Sequence, residues 1–253
     1  MSDKIIQNIQ IPSEHASGID LLKSQAERLE KYIEEFTGFQ LLYKSALREI
    51  NTKLEILNDE FQSMHEYNPI EYIKSRVKTP KSIVEKLIRK GLPISLETAC
   101  NELNDLAGIR VVCSFIDDIY MIADMLVSQD DVTLIKKTDY IKNPKPNGYR
   151  SFHLVVEIPV FFSNRVERVK VEIQIRTVAM DFWASLEHKL YYKYDGTAPD
   201  DIVEELKECS EQIRILDEKM TQINRRIRGS APKASFLPKS LKPVQDDKEN
   251  QKT

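Results

Sequence analysis

The twelve residues Val166–Thr177, VERVKVEIQIRT, constrain the fold of this chain more than any other stretch. Val169, Val171, Ile173 and Ile175 alternate with Lys170, Glu172, Gln174 and Arg176. A period of two puts the aliphatic set on one side of an extended strand and the polar set on the other. The chain must therefore build a sheet that is packed on one face and, along this strand, open on the other. Three further segments read as strands: LAGIRVVCSF, with few polar interruptions and hence buried on both faces, VTLIKKTDYI and FHLVVEIPVFF. Between and around them lie helical patterns. The expected fold class is α+β: a mixed, mostly antiparallel sheet flanked by helices, with helical arms at both ends.

The helices carry their own punctuation. TPKSIVEKLIRKG has Thr79 as N-cap, Pro80 at the first helical position and Gly91 just past the end. DDIYMIADMLVSQ and VAMDFWASLEHKLYYKY follow as helices, and PIEYIKS reads as a short one. From Gly18 to about Glu66 the pattern suggests two helices with Gly38 between them. In the second, Tyr43, Leu47, Ile50, Leu54, Leu57 and Phe61 recur at three and four residues, a packing seam. Asn68-Pro69 stops it, because a residue before proline avoids the α region. A long helix runs through Ile202, Leu206, Cys209, Ile213, Leu216, Met220, Ile223 and Ile227 to Gly229. The layout expected is a flexible N-terminus over 1–17 and one domain over 18–229, divided into a helical arm (18–66), a core (67–195) and a C-terminal helix (196–229). Residues 230–253, polar and punctuated by proline, are expected to be disordered.

Composition excludes several classes of function. With 30% charged and 41% hydrophobic residues the chain is ordinary for a soluble globular protein, and a net charge of −3 supplies no global basic field. No apolar run is long enough to span a bilayer, and the N-terminus lacks the apolar core of a signal peptide, which points to the cytoplasm. Cys100, Cys113 and Cys209 are odd in number and far apart, which suits a reducing compartment and neither a zinc site nor a disulfide framework.

Three groups can carry chemistry. Glu172 lies on the open strand face, and Asp105 lies in ELNDLAGIRVV just before a buried strand. Two carboxylates at neighbouring strand positions can hold a magnesium ion, which takes one or two such ligands and completes its shell with water and substrate phosphates. Taken singly, Asp105 also reads as a turn residue and Glu172 as part of a solvated face. In SRVKTPKSIVEKLIRK, Arg76 and Lys78 point the same way if the segment is extended, and Ser82, Lys86 and Lys90 share one helix face. Beside a helix N-terminus, that cationic strip can bind a triphosphate or simply be solvated. The loop NPKPNGYRSFHL is built by Pro144, Pro146 and Gly148, yet it holds Lys145, Asn147, Tyr149, Arg150 and His153. Lys145 can pair with phosphate, Tyr149 can stack on a base, and Asn147 and His153 can hydrogen-bond sugar or phosphate. Trp183 and Glu187, four apart on a helix, read as structural, with Glu187 left open.

Taken in order, SRVKTPKSI…EKL, NDLAGIRVV, KPNGYRSFHL and VEIQIRT resemble the synthetase domain of the RelA/SpoT homologues over about residues 40–195. With no metal-binding hydrolase segment ahead of Arg76 and no long regulatory region behind, the chain looks like a stand-alone small alarmone synthetase, most similar to the RelQ type. The resemblance implies a nucleotidyltransferase-like fold. It implies transfer of the β,γ-pyrophosphate of ATP to the 3′-hydroxyl of GDP or GTP, giving ppGpp or pppGpp and AMP, with synthesis and no hydrolysis. It places Arg76, Lys78, Ser82 and Lys86 on ATP, with Arg76 stacked on adenine. It places Asp105 and Glu172 on Mg2+, with Glu172 activating the 3′-hydroxyl, and Lys145, Asn147, Tyr149 and His153 on the guanine nucleotide. It further implies a homotetramer with an allosteric (p)ppGpp site that in some members also binds single-stranded RNA. Two alternatives stand beside it. A nucleotidyltransferase attacking the α-phosphate usually carries a close acidic pair on one strand, whereas Asp105 and Glu172 are far apart in sequence. A non-catalytic nucleotide or RNA sensor would not need both acids.

Overall fold

The computed structural model describes residues 18–65, 67–193 and 199–229; the segments expected to be flexible at either end, 1–17 and 230–253, lie outside them. The chain runs α1 (Gly18–His65), β1 (Ile70–Val77), α2 (Pro80–Arg89), α3 (Leu96–Glu102), β2 (Ala107–Cys113), α4 (Ile116–Val127), β3 (Thr133–Asp139), β4 (Phe152–Phe161), β5 (Val166–Thr177), α5 (Val178–Lys193) and α6 (Asp200–Gly229). The five strands form one sheet in the order β1-β2-β5-β4-β3. Only β2 and β5 are parallel; the other three pairs are antiparallel. This is the mixed, mostly antiparallel sheet expected.

The aliphatic side of β5 is buried throughout: Val169, Val171, Ile173 and Ile175 are at most 2% exposed. They join Ile109 and Val111 of β2, and Leu154, Val156 and Ile158 of β4, in a core completed by Phe39, Tyr43, Leu47, Ile50 and Leu54 of α1 and Ile119, Ile122 and Leu126 of α4. Burying aliphatic side chains of this size contributes about 1.5–3 kcal/mol each. Pro159 is tolerated in β4 because β3 pairs only with Phe152–Glu157, so no neighbour asks for its missing N–H.

Three expectations need correction. The N-terminal arm is one helix of 48 residues rather than two. Gly38 is exposed and nothing lies within 4 Å of where its Cβ would be. A lone glycine costs a helix only about 1 kcal/mol, less than the packing of Phe39 and Tyr43 one turn on contributes. PIEYIKS is strand β1 rather than a helix. A bulge between Ile70 and Tyr72 inserts a residue, so Ile70, Ile73 and Val77 fall on one side and imitate a helical spacing. Arg176, expected on the open face, is 3% exposed, because α5 folds over that end of β5. On α6 the buried residues are Ser210, Asp217 and Thr221, whereas Leu216, Met220, Ile223 and Ile227 are 39–67% exposed. Ile202, Leu206 and Ile213 are half-buried, so only the later part of the apolar series lies on the outer face. Helix α3, capped by Ser95, was not expected at all. Among the described residues no helix is long and apolar enough to cross a membrane.

Candidate active site

The sheet register turns the polar face into a grid. One row across the sheet reads Arg76, Gly108, Glu172, Val155; the next reads Lys74, Arg110, Gln174, His153. Residues in register point to the same side, so the correction of PIEYIKS to a strand is what brings Lys74, Arg76 and, beyond it, Lys78 onto this face. Gly108 has no side chain and open space above it, which leaves a gap between Arg76 and Glu172. A cleft of about 260 Å³ opens there, lined by Lys74, Arg76, Lys78, Asp105, Arg110, Glu172 and Gln174 among others.

Asp105, at the turn into β2, is where the cations converge. Its Oδ2 lies 2.9 Å from Lys78 Nζ and 2.6 Å from Lys86 Nζ. Burial pushes its pKa upward, but the two lysine hydrogen bonds outweigh that and hold it below the ordinary aspartate value. Its Oδ1 is buried with no hydrogen-bond partner. Thr79 caps α2 as expected: its Oγ1 accepts from the Ser82 N–H and donates to the Ser82 hydroxyl oxygen. Ser82 is not among the residues lining the cleft, and Lys90 turns instead to the Glu102 carbonyl. Of the strip on α2, only Lys86 reaches the carboxylate.

Glu172 links the cleft to the loop. His153 Nδ1 lies 3.6 Å from Oε1, and Gln174 Nε2 donates to Oε2 at 3.1 Å. Burial and the nearby Asp105 raise the Glu172 pKa, but His153 and Gln174 win, and the group stays below the ordinary glutamate value. His153 Nε2 lies 2.8 Å from the Tyr149 hydroxyl, which accepts a bond from Arg176 at 2.6 Å. Lys145 Nζ lies 4.7 Å and the Arg176 guanidinium 5.0 Å from the centre of the Tyr149 ring, both within cation–π range. Tyr140 stands edge-on to both Tyr149 and His153. Asn147 Oδ1 accepts from the Tyr149 N–H, while its Nδ2 donates to Glu187 at 3.1 Å. Glu187 is thus tied to the loop, and Trp183 is structural, its indole N–H bonded to the Leu206 carbonyl.

The loop is held from behind. Gly148, at φ 88°, presses against Ser210 of α6, whose hydroxyl donates to the Gly148 carbonyl at 2.5 Å. Arg150 crosses to Glu211 and to the Ile141 carbonyl. The structure therefore brings Arg76, Lys78, Asp105 and Glu172 to one cleft, with Lys86 tied to it through Asp105, and joins Lys145, Asn147, Tyr149 and His153 to it through Glu172. Sequence reasoning missed Arg110, Lys74 and Tyr140 and took Gln174 only as a face residue. For Lys74 and Arg110 the signal was available: each lies two residues from a position on the open face.

Comparison with known proteins agrees with this arrangement. The region found in RelA / SpoT proteins matches residues 75–197. GTP pyrophosphokinase YwaC of Bacillus subtilis is 48% identical over 209 residues, covering 83% of this chain and 100% of that protein. GTP pyrophosphokinase YjbM of the same organism is 40% identical over 191 residues, 75% of this chain and 89% of that one. The crystal structure of small alarmone synthetase 1 from B. subtilis, bound to its product pppGpp, superposes with a TM-score of 0.72 at 38% identity, covering 77% of this chain and 99% of that one.

Proposed function

The chain belongs to the RelA/SpoT family and is a GTP pyrophosphokinase, a (p)ppGpp synthetase, and from that premise we propose how its own residues move the β,γ-pyrophosphate of ATP to the 3′-hydroxyl of GDP or GTP. The observation that carries the proposal is the meeting of two lysines on Asp105 within the same cleft that Glu172 shares with the acceptor loop. Transfer of a phosphoryl-type group needs in-line placement and neutralised charge more than covalent help. Lys78 and Lys86 supply the charge: with a triphosphate present they turn from Asp105 toward its oxygens. Arg76, above the gap at Gly108, stacks on the adenine. Ser82 acts at the start of α2, whose N-terminus favours an anion.

On the acceptor side Tyr149 stacks on the guanine. A base on its ring displaces one of the two flanking cations, and Lys145, exposed on its loop, is the one free to move onto phosphate. Asn147 and His153 complete the contacts. Glu172, ionised at neutral pH, receives the hydrogen of the 3′-hydroxyl and aims the oxygen. A loose transition state parts with that proton late, so a strong base is unnecessary.

Magnesium fits Asp105 and Glu172. The unpartnered Oδ1 of Asp105 is an oxygen ligand already desolvated, and two carboxylates with substrate phosphates satisfy this ion. When bound it neutralises the charge that builds on the phosphates. Asp105 and Glu172 would hold the ion, which would leave Lys78 and Lys86 for the phosphate oxygens.

The proposal includes the layout of a catalytic core at 67–195 between an N-terminal helical arm and α6, a cytoplasmic setting, and assembly into a homotetramer with an allosteric (p)ppGpp site that also takes single-stranded RNA. The exposed apolar residues of α6 and of α5, where Phe182, Leu186 and Leu190 are 41–60% exposed, support assembly; light scattering should read four chain masses. The division of the site is tested by two substitutions. Stacking of a base on an aromatic ring is worth about 1–3 kcal/mol, so Tyr149→Ala should weaken GDP by about ten- to a hundredfold and leave ATP nearly unchanged. Arg76→Ala should do the reverse. Equal weakening of both nucleotides by both variants would refute the division.

A further inference from the structure

Asp181 of α5 touches neither the cleft nor the acceptor loop, yet it holds Arg110, which lines the cleft, and Arg176 of β5, which bonds Tyr149 of the loop. Its Oδ1 forms an ion pair with Arg110 Nη1 at 3.2 Å and accepts from Arg176 Nη1 at 3.1 Å, and its Oδ2 accepts from the Tyr72 hydroxyl at 2.7 Å. Arg110, its side chain 34% exposed, lines the donor cleft. Arg176, its side chain 4% exposed, continues to the Tyr149 hydroxyl and to Gln174, which bonds Glu172. Asp181 is itself 4% exposed. Two guanidiniums thus share a single buried oxygen. Neither can shift without changing the field and the space available to the other, because a buried ion left without its partner is costly.

We propose that Asp181 is a positioning residue that couples the donor and acceptor nucleotides, so that ordering Arg110 against ATP orders Arg176, and with it Tyr149 and the Gln174–Glu172 pair, for the guanine nucleotide. The proposal rests on the division of the site given above. The physical content is ordering: a side chain already fixed by the first ligand costs the second ligand less. The coupling is reciprocal, so GDP must strengthen the donor by the same factor. The sheet register explains why this carboxylate can reach both sides. Arg110 and Arg176 stand on the neighbouring parallel strands β2 and β5, two residues apart in register, and α5 begins where β5 ends.

The test is calorimetric titration of GDP into the full chain with magnesium, without and then with saturating α,β-methylene ATP. In the parent the donor analogue should tighten GDP by a factor within the usual range for coupled sites, about 5–150-fold. In Asp181→Asn, which keeps the shape and loses the charge, the factor should fall below about twofold. A merely structural role would lower thermal stability or weaken both nucleotides and leave the ratio between the two titrations unchanged; that result, or a parent without coupling, overturns the proposal. A parent that binds neither nucleotide overturns the division of the site and this inference with it. Should Asp181→Asn fail to fold, Arg110→Lys serves. It removes the fork that reaches Asp181 from the donor side, so GDP measured with no donor present should weaken at least threefold. Unchanged GDP affinity in that variant also overturns the coupling.

Discussion

At the scale of single residues, the site is shaped by two groups that do no chemistry. Gly148 is one. Its φ of 88° lies where side chains are strained, and a Cβ there would sit 2.6 Å from Ser210 Cβ and 2.8 Å from its hydroxyl. Gly148→Ala should therefore push the acceptor loop off α6 and weaken GDP about tenfold or more while ATP affinity holds; titration of each nucleotide alone checks this. Adding Ser210→Gly, which removes the obstructing atoms, should recover part of the loss. Asp217 is the other. Buried, and accepting from the Thr177 hydroxyl at 2.6 Å, it has its pKa pushed up to about 6, first by burial and then by Glu218. Between its ordinary 3.8 and about 6 the folded protein holds a proton that the unfolded chain has lost, so stability falls as pH rises through that window, and the full penalty applies above it. At about 1.4 kcal/mol per pH unit the penalty is on the order of 2–3 kcal/mol. Asp217→Asn, which still accepts from Thr177, should be more stable than the parent at pH 7.5, with the advantage fading toward pH 4 in denaturant melts. An advantage that grows on acidification would contradict this reading.

At the scale of elements, the strands and capped helices were legible wherever a short-range rule decides the conformation. The alternation from Val169 to Ile175 and the Thr79-Pro80…Gly91 frame appear in the structure as read. The misreadings occur where a tertiary partner overrides a local signal. PIEYIKS becomes a strand because β2 pairs with it, and its bulge disguises the alternation. Helix α6, read only as a helix, buries Ser210, Asp217 and Thr221 because the loop, the β5–α5 junction and the start of α4 present polar partners there. In α1, a glycine reads as a break, although Phe36 and Phe39 on either side of it both pack against the core. That continuity is testable: within an exposed helix, Gly38→Ala should stabilise the protein by about 0.5–1 kcal/mol, measured by urea melts. A neutral or destabilising result would place a turn at Gly38.

At the scale of the whole molecule, a chain of net charge −3 gathers Lys74, Arg76, Lys78 and Arg110 around two carboxylates in one cleft, with Lys86 bound to one of them from α2. The residues on contiguous motifs could be found in the sequence: Arg76 to Lys86, Asp105, the loop from Lys145 to His153, and Glu172. The supports could not. Nothing in spacing ties Asp181 to Arg110 and Arg176, or Glu187 to Asn147, because those pairs arise only when α5 folds back over the end of the sheet. What the assembled site is for comes down to which bond of ATP is broken. The deciding measurement is chromatography of the nucleotides after incubation with ATP, GDP and magnesium, repeated with Asp105→Asn and Glu172→Gln. AMP and a guanosine carrying a 3′-pyrophosphate should appear in equal amounts, and both should vanish in either variant while circular dichroism shows the fold retained. Release of free pyrophosphate without AMP, or a folded variant of either carboxylate that keeps near-parental turnover, would contradict the account.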